Sequence, residues 1–181
     1  MQLTPLYADP GSSAGAPTDW WLPPPPGWLK LNFNGAFNHF TDRARVGGVI
    51  GDLYGNLISA FSCEIRAQNP LEAELIALRR RLLRCHDLQL SKVQVEGDCL
   101  ALVTSIQNSA HLTWDMMGLM NLLAAINNWT IHYYKRSPNG LADLLAKLDA
   151  LVIANNASSL PIQARDTYID ECDRVHKGLL L

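Results

Sequence analysis

The chain has 181 residues, 48% hydrophobic and 18% charged, which fits one domain with a sizeable core and excludes a wholly disordered or fibrous chain. Fifteen Lys and Arg against seventeen Asp and Glu leave a formal charge of -2, so any affinity for a polyanion must come from a local patch. Cys63, Cys85, Cys99 and Cys172 are too scattered for a Cys-x-x-Cys zinc or redox motif, and neither a signal-peptide pattern nor a run of about 18 apolar residues occurs. The expectation is a reduced intracellular protein of the nucleus or cytoplasm, not secreted and without membrane contact.

Residues 1–21 are rich in Gly, Ser, Ala, Pro and Asp and lack an apolar period, so they read as a disordered or linker segment. The prolines at 23–26 favour extended backbone and offer no amide hydrogens to a sheet, which places a domain at 22–155. Leu29, Leu31 and Phe33 then alternate with Lys30, Asn32 and Asn34, the period of a strand. An apolar stretch at 46–52 predicts a second strand, and Tyr54-Gly55-Asn56 is turn chemistry before a third at 57–65. Such short links imply an antiparallel meander.

Leu71, Leu75, Leu78, Leu82 and Cys85 recur at three and four residues, the stripe of a helix that Asn69-Pro70 would start. A buried strand at 92–96 follows, then helices carrying Leu100, Val103 and Ile106, and Met116, Leu119, Met120, Leu123 and Ile126. Residues 129–134 alternate as a strand, and Ser137-Pro138 opens a last helix with Leu141, Leu145, Leu148 and Val152 on its inner stripe. Residues 156–181 form a C-terminal extension, read as a short helix or a tail. Trp28, Trp114 and Trp129 are assigned to buried core. The predicted fold is α/β: a mixed five-stranded sheet, an antiparallel three-strand meander plus two parallel strands, with flanking helices.

Ligands gather at the C-terminal ends of parallel strands, where Asp98 follows the strand at 92–96 and helices bring Glu74 and Asp143 in their first turns. Taken singly, an acid early in a helix is explained by the dipole. Lys30, Lys135, Arg136 and Asn139 are the candidates for phosphate contact. Arg79, Arg80, Arg81 and Arg84 read as a solvated helix face, with Arg80 and Arg84 outermost and Arg79 and Arg81 flanking the apolar stripe.

Five segments together resemble the plant reverse-transcriptase-like branch of the ribonuclease H superfamily, over about residues 21–150. They are Leu29-Lys30-Leu31-Asn32-Phe33-Asn34-Gly35-Ala36, Gly47-Gly48-Val49-Ile50-Gly51-Asp52, Ala73-Glu74-Leu75-Ile76-Ala77-Leu78, Val95-Glu96-Gly97-Asp98 and the stretch from Arg136 to Ala146. The resemblance implies a ribonuclease H-like fold and hydrolysis of the RNA strand of RNA–DNA hybrids by two Mg2+ ions about 3.5–4 Å apart. By position the ligands would be Asn34, Glu74, Asp98 and Asp143, with Glu74 and Asp98 sharing one metal and Asp143 helping to hold the other. The family's first member is an aspartate bridging both metals, whereas Asn34 offers one neutral carbonyl oxygen. Gly51 and Ser137 stand where members often carry arginine and glutamate.

The implied protein is a monomer that binds nucleic acid, a hybrid or a single strand, weakly and without a small-molecule cofactor. Its Mg2+ binding is weakened or lost and its hydrolysis impaired. The alternatives are an active magnesium-dependent ribonuclease H, rescued by one metal or a neighbouring acid such as Asp42, and a protein-interaction module with no nucleic-acid role.

Overall fold

The computed structural model describes residues 21–41, 43–108, 114–134, 140–148 and 152–178, with side chains to residue 170. Residues 1–20 and Ser137-Pro138, read above as a tail and a helix start, lie outside this set. Strands β1 (Leu29–Asn38), β2 (Arg43–Gly51) and β3 (Leu57–Ile65) form the expected antiparallel meander. Helix α1 (Pro70–Asp87) leads to β4 (Lys92–Gly97), which pairs in parallel with β1. Helices α2 (Leu100–Asn108) and α3 (Trp114–Ala124) lead to β5 (Asn128–Tyr133), parallel to β4. Helix α4 (Gly140–Lys147), β6 (Val152–Ala154) and α5 (Ile162–Gly178) complete the described chain.

The sheet order is β5-β4-β1-β2-β3-β6, six strands rather than five. The extra strand, β6, runs antiparallel to β3 and contains Val152, which the helical stripe had claimed. Val152, Ile153 and Ala154 are 4%, 74% and 1% exposed, an alternation with the period of a strand that is too short to stand out in the sequence.

Helix α1 starts as expected: the Asn69 side chain accepts from the Glu72 amide at 2.9 Å, and Pro70 sits in the first turn, where no amide hydrogen is required. Its inner face is turned relative to the predicted stripe. Leu71 is exposed, while Arg81, expected on the flank, is buried. The cause is Gly48, where a Cβ would lie 2.7 Å from the Arg81 Cδ. The missing methyl leaves the room in which the Arg81 guanidinium stacks 4.1 Å from the Phe61 ring centroid.

The sheet divides the interior in two. Leu31, Phe33 and Val95 pack beneath α1, α2 and α3 with Leu78, Val103, Ile106 and Leu119. On the other face Val49, Leu57 and Ala60 meet Leu141 and Leu145 of α4, Ala154 of β6 and Ala164 of α5. The extension is thus a 17-residue helix built into the second core, not a short appendage. Tyr168 anchors it by donating to the Gly55 carbonyl at 2.5 Å and accepting from the Leu57 amide at 3.1 Å.

Trp21, assigned to the linker, donates through its indole to Asn32 Oδ1 at 2.9 Å and so belongs to the fold. Trp28 and Trp129 are half-buried, but Trp114 is 87% exposed, contrary to the core assignment.

Candidate functional site

Two glycines bring helices unusually close to β1 and β2. A Cβ on Gly35 would lie 2.4 Å from the Ala73 carbonyl carbon and the Glu74 amide nitrogen, so only glycine lets β1 meet the N-terminal part of α1. A Cβ on Gly47 would lie 2.4 Å from the Ala146 amide nitrogen, so β2 and α4 meet backbone to backbone in the same way. Gly47 is the cross-strand partner of Asn34, and cross-strand partners share a face of the sheet. Asn34 therefore points toward α4.

There Asn34, 3% exposed, donates through Nδ2 to Asp143 Oδ1 at 3.0 Å. The other carboxylate oxygen of Asp143 accepts from Lys147 Nζ, one turn along α4, at 2.5 Å. Glu74, 7% exposed, follows the point where α1 touches Gly35. Asp98 leaves the C-terminal end of β4 just beyond Gly97, which is in register with Phe33. Both acids act on one thiol: burial pushes the Cys99 pKa up first, and the negative charges of Glu74 and Asp98 push it further. Asn34 and Asp143 are therefore in direct contact, while the charges of Glu74 and Asp98 both reach the Cys99 thiol.

This arrangement does not fit a pair of magnesium ions as it stands. Among the described residues no three His, Cys, Asp or Glu are placed to hold a metal ion. Asn34 presents N–H to Asp143 where a metal needs an oxygen, and Asp143 is already neutralised by the Lys147 ammonium.

The phosphate candidates fare differently. Lys30 is 2% exposed, with Nζ 2.5 Å from Glu96 Oε1, 5.2 Å from the Trp21 ring centroid and 5.9 Å from that of Tyr134. A lysine at the end of a strand was expected to reach outward, but this one points into the sheet face and cannot meet a phosphate there. Burial lowers its pKa, opposed by the charge and hydrogen bond of Glu96. Lys135, Arg136 and Asn139, and the rescue candidate Asp42, lie outside the described residues.

Sequence reasoning missed the polar cluster around Glu96, whose carboxylate also accepts from Asn32 Nδ2 at 3.2 Å and Gln94 Nε2 at 3.1 Å. His132 is the register partner of Glu96, and burial lowers its pKa. The signal was present as polar residues alternating on neighbouring strands, Lys30 and Asn32 beside Gln94 and Glu96.

The model of the reverse transcriptase-like family matches residues 32–149, well over half of the chain. An Arabidopsis thaliana protein bearing a ribonuclease H name is 28% identical over 131 residues, which cover 70% of this chain and 21% of that protein. The chain thus spans about a fifth of the length of this curated relative.

Among solved structures, ribonuclease H1 of the archaeon Halobacterium salinarum superposes with a TM-score of 0.61 at 22% identity, covering 66% of this chain and 94% of that one. An N-terminal ribonuclease H domain from Mycobacterium tuberculosis gives 0.62 at 17% identity, covering 79% and 96%. LC11-RNase H1 in complex with an RNA/DNA hybrid gives 0.59 at 21% identity, covering 65% and 92%. At these identities the likeness is one of fold.

Proposed function

Because the chain belongs to the reverse transcriptase-like family and has a ribonuclease H-like fold, we propose that it binds nucleic acid but is impaired in cutting the RNA strand of RNA–DNA hybrids. The observation that carries the reading is the hydrogen bond from Asn34 Nδ2 to Asp143. A carboxylate at position 34 would repel Asp143 and call for a cation between them; the amide instead satisfies Asp143 internally. Lys147 supplies positive charge to the same carboxylate, so the need for a divalent ion falls again.

A nucleic-acid partner is supported by the fold, since the similarly folded LC11 enzyme is seen with an RNA/DNA hybrid. With a formal charge of -2, the chain has little long-range attraction for a polyanion, so the proposed binding is weak and salt-sensitive; the proposed state is a monomer. Lys135, Arg136 and Asn139 are the proposed phosphate contacts, and the nucleus or cytoplasm is the proposed location.

The test is cleavage of a labelled RNA–DNA hybrid in millimolar Mg2+ by the chain and by its Asn34→Asp variant. The native chain is expected to be inert and the variant faster by about 100-fold or more, the scale on which loss of one preorganised electrostatic group acts. Cleavage by both overturns the impairment. Failure of both to bind hybrid or single strand at low salt would leave the protein-interaction reading in its place.

A further inference from the structure

A groove of about 470 Å3 opens between α1 and the β3–β6 edge of the sheet, and none of Asn34, Glu74, Asp98 or Asp143 lines it. Three guanidinium groups do: Arg80, Arg81 and Arg84. Arg80 Nη1 donates to Cys63 Sγ at 2.9 Å, Arg84 Nη2 donates to Asn155 Oδ1 at 3.1 Å, and Arg81 lies over Phe61 with Nη1 3.5 Å from Ser59 Oγ. Among the described residues none of the three is ion-paired with a carboxylate, and Asp87 is the only acid in the lining.

Arg81 makes this more than a surface accumulation of charge. It is 4% exposed, and its Nε has no hydrogen-bond partner among the described residues. A buried guanidinium with no counter-anion is costly, and burial pulls its pKa down to about 10. In a chain of net negative charge, three unneutralised cations around one groove call for an anionic occupant.

The rest of the lining selects the kind of anion. Ile153 is 74% and Leu83 46% exposed, both aliphatic, and the Phe61 ring is already covered by Arg81, so no aromatic platform is open to stack a base. β6 ends the sheet, so its outer backbone edge carries no further strand among the described residues. Carboxylates, aliphatic side chains and an extended backbone are the chemistry of an acidic peptide.

We propose that this groove docks an extended acidic segment of a partner protein, with its carboxylates on Arg80 and Arg84, the buried charge of Arg81 drawing them in from beneath, and its apolar side chains on Ile153 and Leu83. The site does not depend on the nuclease reading. The test is an amide chemical-shift titration of the 15N-labelled chain with a capped hexapeptide of alternating glutamate and valine. Parallel titrations use a lysine–valine hexapeptide, inorganic phosphate and a single-stranded oligodeoxynucleotide.

Saturating shifts confined to residues 60–63, 80–84 and 152–155, given by the glutamate peptide in preference to the other three probes, are expected. Binding should weaken tenfold or more in the Arg80→Gln, Arg84→Gln double variant, whose changes lie on the outer side of α1. Should that variant misfold, the glutamate and lysine peptides on the native chain still decide the matter. No groove shifts with the glutamate peptide, an equal response to the lysine peptide, or a preference for phosphate or the oligonucleotide would each overturn the proposal.

Discussion

The amide of Asn34 donates to Asp143 across 3.0 Å, a bond to a charged acceptor of the kind worth about 1.5–3 kcal/mol. Asn34→Asp removes that bond and sets two carboxylates side by side at a nearly buried position. In EDTA the variant is expected to lose about 2 kcal/mol or more, which for a domain of this size lowers the melting temperature by about 4–8 °C. Millimolar Mg2+ should restore the loss in the variant and leave the native chain almost unmoved. Equal Mg2+ responses in thermal melts of the two proteins would remove the basis for treating Asn34 as the decisive residue. The sequence singles this position out because it interrupts an otherwise matching run of residues, and the structure sets it against Asp143. Lys30 was misjudged because the sequence does not reveal that Glu96, on the neighbouring strand, draws it inward.

That same cluster gives a pH dependence. Burial holds the His132 pKa below 6.5 against the opposing charge of Glu96, with a lesser contribution from the Lys30 charge. The folded chain therefore keeps His132 neutral where the unfolded chain already takes up a proton, so ν_U exceeds ν_N and stability falls as pH drops from 6.5 toward the lowered value. Above 6.5 both states are neutral and His132 contributes no slope. Urea midpoints measured from pH 7.5 to 5 should decline less steeply for His132→Gln than for the native chain. Parallel curves would show that other groups carry the acid sensitivity.

At the level of elements, close approach fixes the site more than any hydrogen bond does. Gly47→Ala forces a methyl into the α4 backbone at 2.4 Å, and the strain is expected to cost about 1–3 kcal/mol and to move Asp143 away from Asn34. Gly118→Ala supplies the contrast: nothing lies within 4 Å of an added methyl in α3, so the helix should gain about 0.5–1 kcal/mol from lost glycine entropy. Denaturant midpoints shifting in the same direction for both variants would refute the argument from packing. The elements themselves were largely readable, because the meander and α1 obey clean periods and the Asn69-Pro70 start is local chemistry. The inner face of α1 was not, since burying Arg81 depends on the absent side chain of Gly48 and on the Phe61 ring, both distant in sequence.

On the scale of the molecule, the second face of the sheet is divided: polar over β1, β4 and β5 around Glu96, apolar over β2, β3 and β6 beneath α4 and α5. This division explains why the C-terminal extension could not be read in advance. Taken alone, residues 162–178 are polar on average, and Ala164 and Tyr168 find their place only because the face awaiting them includes Val49, Leu57 and Val152. The Tyr168 hydroxyl links α5 to the turn between β2 and β3, so Tyr168→Phe is expected to cost about 1–2 kcal/mol. Ending the chain at residue 156 should cost more, because it strips Leu160, Ala164 and Tyr168 from the apolar cluster that holds Leu141 and Leu145 of α4. The shortened chain should bind a hydrophobic dye, melt earlier and lose the contact between Asn34 and Asp143, because α4 carries Asp143 into place. A shortened chain that melted as high and as cooperatively as the whole would mean that α4 completes the second core alone and that α5 only rests upon it.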